Sequence, residues 1–137
     1  MADSAAFAKG LEGVIAGETS ICAVNQTQLI YRGYEIADLA ANATFEEVAF
    51  LLLVGHKPSA DELRFFKDEL IANRALPRQV IDFLRAARPM LLDKSAVPMD
   101  VLRTAVSILG NLDKDSQDNS PEANLRKAKR ILASVPT

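Results

Sequence analysis

The apolar positions of this chain follow two spacings. Between Glu18 and Arg32 they lie in two short runs, TSICAVN and LIYR, on either side of the polar QTQ. That pattern predicts a small β-hairpin with a loop longer than two residues. A lone hairpin is marginal in water and must lie on another element. From about residue 34 the spacing becomes helical, with Ile36, Leu39 and Ala40 on one side. The stretch LIYRGYEIADLA therefore changes from strand to helix at Arg32 and Gly33, and Gly33 is expected to supply a backbone angle that other residues resist.

The helical part carries its own punctuation. Thr44 and Glu47 have the spacing of a capping box. The VAFLLLV run behind them is apolar on every face, which predicts a central helix buried all round, with Leu52 in the core and Gly55 as a left-handed stop. Ser59 and Glu62 form a second box, followed by the stripe Leu63, Phe66 and Leu70. Pro77 fits the first turn of a further helix, where its missing N–H is harmless, and Val80, Phe83, Leu84 and Ala87 form its apolar face. Arg88 to Pro98 holds two prolines and no clear period, so it reads as a loop. MDVLRTAVSILG is a fifth helix, with Leu102, Ala105, Val106 and Leu109 on one side and Gly110 as its stop. After the polar NLDKDSQDNS, Ser120-Pro121 opens a last helix striped by Leu125, Ala128 and Leu132. Pro136 breaks or kinks that helix one residue before the end, so the chain is expected to be cut inside a helix.

Charge and composition narrow the function classes. Sixteen Lys and Arg stand against eighteen Asp and Glu, a net charge of −2 over 137 residues, whereas a nucleic-acid surface needs a clustered basic excess. One cysteine, Cys22, excludes an internal disulfide and suits a reducing compartment. The densest apolar run, Val48 to Val54, is far too short to span a bilayer. The N-terminus lacks the layout of a secretory signal. The expectation is a soluble, intracellular, cytoplasmic protein without nucleic-acid or membrane partners.

Candidate chemistry is sparse. His56, the one histidine, follows the buried helix in VGHKP, where a positive charge would suit the helix dipole; no Ser-His-Asp or Cys-His arrangement is supported by the sequence, and it reads as structural or exposed. Cys22, alone on a strand, reads as core. DKDSQD, from Asp113 to Asp118, has a calcium-loop cadence, but Asp118 and Asn124 stand where that loop needs Gly and Glu, leaving a solvated acidic loop. No metal set and no glycine-rich phosphate loop is present.

Several stretches in order, GLEGVIAGETSIC, LIYRGYEIADLA, TFEEVAFLLLVGHKPSADEL, VPMDVLRTAVSIL and KRILASVPT, resemble the N-terminal part of bacterial citrate synthases and 2-methylcitrate synthases. The resemblance implies a mostly α, multi-helix citrate synthase-like fragment with a small N-terminal hairpin, residues 1–137 forming one segment with the hairpin at about 18–32 and helices from about 34 onward. It implies a transferase of the tricarboxylic acid cycle type, an acyltransferase that condenses acetyl-CoA or propionyl-CoA with oxaloacetate and works as a homodimer. In that family a histidine and an aspartate enolise the thioester and a second histidine assists the oxo acid's carbonyl. These residues fall beyond the end of this chain, and His56 matches neither histidine motif, so no catalytic residue is assigned and the chain alone is expected to be inactive. No cofactor or metal is assigned; acyl-CoA is a substrate of the family. Arg32 has two readings: hydrogen bonds to backbone carbonyls that tie the hairpin to the helices, which is preferred, or a contact to a CoA phosphate, since guanidinium suits phosphate. The alternative to the enzyme segment is a stand-alone, non-catalytic helical interaction module from a truncated gene.

Overall fold

A computed structural model describes residues 17–25 and 27–137. Within them a three-stranded antiparallel sheet of order β1-β2-β3 precedes six helices. Strands β1 (Cys22–Val24) and β2 (Leu29–Tyr31) pair Cys22 with Tyr31 and Val24 with Leu29. Their loop is held by the Asn25 side chain, whose Oδ1 accepts from the amides of Thr27 (3.1 Å) and Gln28 (2.7 Å). A third strand, β3 (Tyr34–Glu35), returns along β2 with Tyr31 opposite Tyr34. Sequence spacing passed straight from β2 to helix and missed it, because two residues are too few to show alternation. The turn between β2 and β3 holds both central residues at positive φ, Arg32 at 47° and Gly33 at 89°. A two-residue hairpin turn of the primed kind demands this, because its twist matches that of the strands. Cys22, expected in a core, is exposed along with the rest of β1.

The helices are α1 (Ile36–Asn42), α2 (Phe45–Val54), α3 (Ala60–Ala72), α4 (Arg78–Leu92), α5 (Pro98–Leu112) and α6 (Pro121–Ser134). Both capping boxes form as their spacing predicts: Thr44 with Glu47 opens α2, and Ser59 with Glu62 opens α3. Gly55 closes α2 at φ 103°. The helix is not buried all round, however. Phe50 and Leu51 are buried, Leu52 is half-buried, and Phe45 at the first turn is 63% exposed. Phe50 meets Phe66 of α3 edge-on with ring centres 5.5 Å apart. With Leu70 and Ala133 of α6 they make the core cluster, flanked by Ala49, Leu53 and Leu132.

Three boundaries differ from the spacing. Residues 88–92, read as loop, continue α4 through Pro89. Proline removes one helical donor, but the turns on either side persist where Val80 and Ala87 are buried and α4 lies against α5. The amide of Asp93 closes the last turn onto the Pro89 carbonyl. Pro77 stands at the N-cap of α4 with extended backbone rather than inside its first turn. Helix α5 starts at Pro98 and runs past Gly110 to Leu112, since Gly110 keeps an ordinary negative φ. Its buried side chains are Val101 and Ala105, whereas Leu102 is 38% exposed. Ser120 caps α6 by accepting from the Ala123 amide.

Candidate functional site

Arg32 is placed by the tight turn that joins β2 to β3. Its left-handed backbone directs the side chain toward the C-terminal end of α2. There Nη2 donates to the Leu52 carbonyl at 3.1 Å, and Nη1 donates to Ser20 Oγ at 2.6 Å. Leu52 contributes one of the last four carbonyls of α2, which lack helical donors and carry the negative end of the dipole. The guanidinium therefore ties the segment just before β1 to the end of a helix. Its Nε is buried and unpartnered. Beside it, the Lys57 ammonium lies 4.3 Å from the centre of the Tyr34 ring, a cation–π contact that closes the same corner.

His56 lies just beyond, on the turn between α2 and α3. Its ring sits edge-on to Phe50 and its Nε2 is 3.2 Å from Glu62 Oε1. The other oxygen of Glu62 accepts from the Ser59 amide and hydroxyl, each at 2.8 Å. These contacts lower the Glu62 carboxyl from 4.5 to about 2, the Ser59 backbone N–H first, its hydroxyl second and His56 third. The group is a helix cap with a histidine leaning on it. Among the described residues, the partners of Glu62 are Ser59 and His56.

The loop from Asp113 to Asp118 is exposed at Lys114, Ser116, Gln117 and Asp118, as expected, but Asp113 and Asp115 are pinned. Arg130 of α6 grips Asp113 through two bonds of 2.7 and 2.8 Å and reaches Asp115 at 2.7 Å. Arg126, one turn earlier, binds Asp115 with both a guanidinium Nε and Nη2. The side chains of both aspartates are only 15% exposed. Arg130 holds the Asp113 carboxyl below the usual carboxylate range, and Arg126 followed by Arg130 does the same for Asp115. Sequence reasoning weighed the acidic residues alone. The i, i+4 spacing of Arg126 and Arg130 was the signal that they meet a shared carboxylate partner. Among the described residues, no group of three or more His, Cys, Asp or Glu side chains is placed to hold a metal.

Next to this ion network opens a cleft of about 420 Å³ between the end of α3, the C-terminal half of α5 and α6. Val106, Leu109, Leu112 and Ile131 supply its apolar wall, with Asp113 and Arg130 at its polar side. At the cleft, the Asp113 carboxylate is held by Arg130.

Comparison with known proteins resolves what this arrangement belongs to. The family model described as "Citrate synthase, C-terminal domain" matches residues 10–137. The chain belongs to the citrate synthase family. It is 40% identical over 128 residues to citrate synthase 2 of Bacillus subtilis, covering 93% of this chain and 33% of that one. To the 2-methylcitrate synthase of Shewanella oneidensis it is 41% identical over 130 residues, 93% of this chain and 32% of the other. Among solved structures, citrate synthase from Pyrobaculum aerophilum superposes with a TM-score of 0.80 at 30% identity, over 92% of this chain and 33% of that one. The fold is shared too by citrate synthase of Thermoplasma acidophilum in a ternary complex with carboxymethyl coenzyme A and oxaloacetate, with a TM-score of 0.73 at 21% identity over 91% of this chain. The chain thus spans about a third of the length of the citrate synthases and 2-methylcitrate synthases it matches and carries the family's helical fold with a small sheet. No helix among the described residues is long and apolar enough to cross a membrane.

Proposed function

We propose that this chain is the leading, N-terminal portion of a citrate synthase-type acyltransferase and serves as its scaffold. The observation that carries the reading is a match along nearly the whole chain to one third of enzymes named citrate or 2-methylcitrate synthase. Placement at the leading end rests on the resemblance of these stretches, hairpin first and then the capped helices, to the N-terminal part of such enzymes. The reaction is condensation of acetyl-CoA or propionyl-CoA with oxaloacetate. The acyl α-carbon gives up a proton and forms a C–C bond to the ketone carbon, the resulting alkoxide takes a proton, and water cleaves the thioester to release CoA. Such chemistry needs an acid and a base on either side of the substrates. In this reading that work is done by groups outside this segment.

Arg32 is part of the scaffold in this reading, because Ser20 and the Leu52 carbonyl engage its guanidinium. CoA phosphate binding at Arg32 would require giving up those partners. The same reading makes the complete enzyme a cytoplasmic homodimer to which α5 and α6 contribute, supported by the exposed Met99 and Leu102 on α5.

The test is CoA release from acetyl-CoA and oxaloacetate by the purified 137-residue chain. No turnover above a buffer blank is expected. Turnover that His56→Ala abolishes overturns the scaffold role.

A further inference from the structure

The later helices divide into two packed units. The core cluster draws Phe50 from α2, Phe66 and Leu70 from α3 and Ala133 from α6. Helices α4 and α5 pack on each other and bury Val80, Ala87, Val101 and Ala105. Where helices interlock by ridges and grooves, their side chains fix the crossing angle. Over its C-terminal half α5 faces α6 across the cleft rather than along such a seam, so another kind of contact must set the angle between the units.

Polar bonds from α6 meet the α4–α5 hairpin at both of its roots. At the entry, the Ser134 hydroxyl donates to the Asn73 carbonyl at 3.3 Å, a long neutral bond. At the exit stands Asp113, the C-cap of α5. Arg130 Nε and Nη2 donate to its two oxygens at 2.7 and 2.8 Å. Asp115 accepts from Arg130 at 2.7 Å and from Arg126 at 3.1 and 3.2 Å, and its amide donates to Asp113 Oδ1 at 2.8 Å. The two carboxylates thus form one block gripped by two guanidiniums one helical turn apart. A two-pronged pair between planar groups fixes direction as well as distance. The aspartate side chains are 15% exposed and that of Arg130 23%, so solvent ions screen the grip weakly.

We propose that the Asp113–Arg130 and Asp115–Arg126 clasp is a latch that fixes the α4–α5 hairpin, as one rigid arm, at a single angle to the unit of α2, α3 and α6. Met99 and Leu102 ride on that arm, so the latch also sets where this exposed apolar pair points. The latch is a property of this chain's own residues and stands whether or not the enzyme-segment reading does.

The experiment measures the distance between two spin labels on the 137-residue chain, at Arg88→Cys on the arm and Asp68→Cys on α3, both exposed positions, with Cys22→Ser so that no other thiol takes a label. The parent is expected to give one narrow distance distribution. Asp113→Asn combined with Asp115→Asn is expected to widen it about twofold or more, because the amides lack the charge that makes the fork strong. Hydrogen exchange of the α4 and α5 amides should stay at the parent's rates, as the arm moves in one piece. Arg130→Lys keeps the charge without the planar fork and is expected to widen the distribution as well; it carries the test if the asparagine pair does not fold. A broad distribution in the parent overturns the latch, since the arm then swings with the clasp closed. So does a variant folded by far-UV circular dichroism that keeps the parent's narrow distribution. Faster exchange throughout α4 and α5 in the variants also overturns it, because the clasp then maintains the arm's own fold and not its angle.

Discussion

Arg32 holds a left-handed backbone conformation that a residue with a Cβ adopts at a cost, and the compensation is visible in its side chain. The guanidinium supplies a donor to the end of α2 and another to Ser20. Arg32→Ala keeps the turn's strain and loses both bonds. It is expected to lower stability by roughly 1.5–3 kcal/mol, the range for hydrogen bonds to charged groups, read from chemical denaturation, and hydrogen exchange should show β1 and β2 opening first. A change within about 0.5 kcal/mol, as at ordinary surface sites, would show that the corner is held by other contacts. Glu62 makes a second residue-scale prediction. Its carboxyl is lowered from 4.5 to about 2 in the fold, so its ionised form stabilises the fold above the unfolded value near 4.5. That contribution is lost as pH falls toward 2. Glu62→Gln removes the titrating group. The stability gap between parent and Glu62→Gln should therefore be widest above pH 5 and shrink on acidification, followed by denaturation midpoints at several pH values. A gap that grows as the pH drops would contradict the cap geometry.

Among the elements, α2 shows what spacing can and cannot tell. Its N-terminal cap is legible because Thr44 and Glu47 are local partners three residues apart, as Ser59 and Glu62 are for α3. The burial of α2 is not, because an all-apolar run has no polar face to mark the outside. The structure turns Phe50 and Leu51 inward and leaves Phe45 in solvent. Leu51→Ala is accordingly expected to cost about 2–5 kcal/mol, measured by denaturant unfolding, and Leu52→Ala distinctly less. The reverse order would mean the helix is rotated. The end of α4 was hidden for a different reason. Pro89 is a strong local breaker, and only the burial of Ala87 and the packing of α4 on α5 override it. Residue spacing carries no such tertiary information. At the candidate sites, the tie made by Arg32 could be framed from the strand-to-helix joint, while the Asp113–Arg130 and Asp115–Arg126 pairs join residues 11 to 17 apart and needed the fold to bring them together.

At the scale of the whole molecule, the exposed face of α5 lies apart from the cleft. Met99 and Leu102 stand one turn apart there, both exposed. If α5 contributes to a homodimer as proposed, the isolated chain should show a mass that rises with concentration in light scattering, and Leu102→Glu should return it to a monomer without lowering its melting temperature. A monomeric mass at all concentrations would mean that the chain needs no partner for this face. It would then favour the stand-alone module.

Helices α3 and α6 meet although the joined residues are 60 positions apart: the Lys129 ammonium lies 2.6 Å from Glu69 on α3, and Ala133 sits in the same cluster as Phe66 and Leu70. Helices α4 and α5 are thus an excursion of chain whose two feet are fixed by that meeting. Lengthening a loop that is already closed adds only about 0.6 kcal/mol per doubling of its length. The short link after α4, where Lys94 already takes a left-handed turn at φ 62°, is therefore a natural port for guest sequence. A flexible tag or a small reporter inserted after Lys94 should leave far-UV circular dichroism intact and move the unfolding midpoint little, because the strain of accommodating it is dissipated at the tip and never reaches the aromatic cluster below.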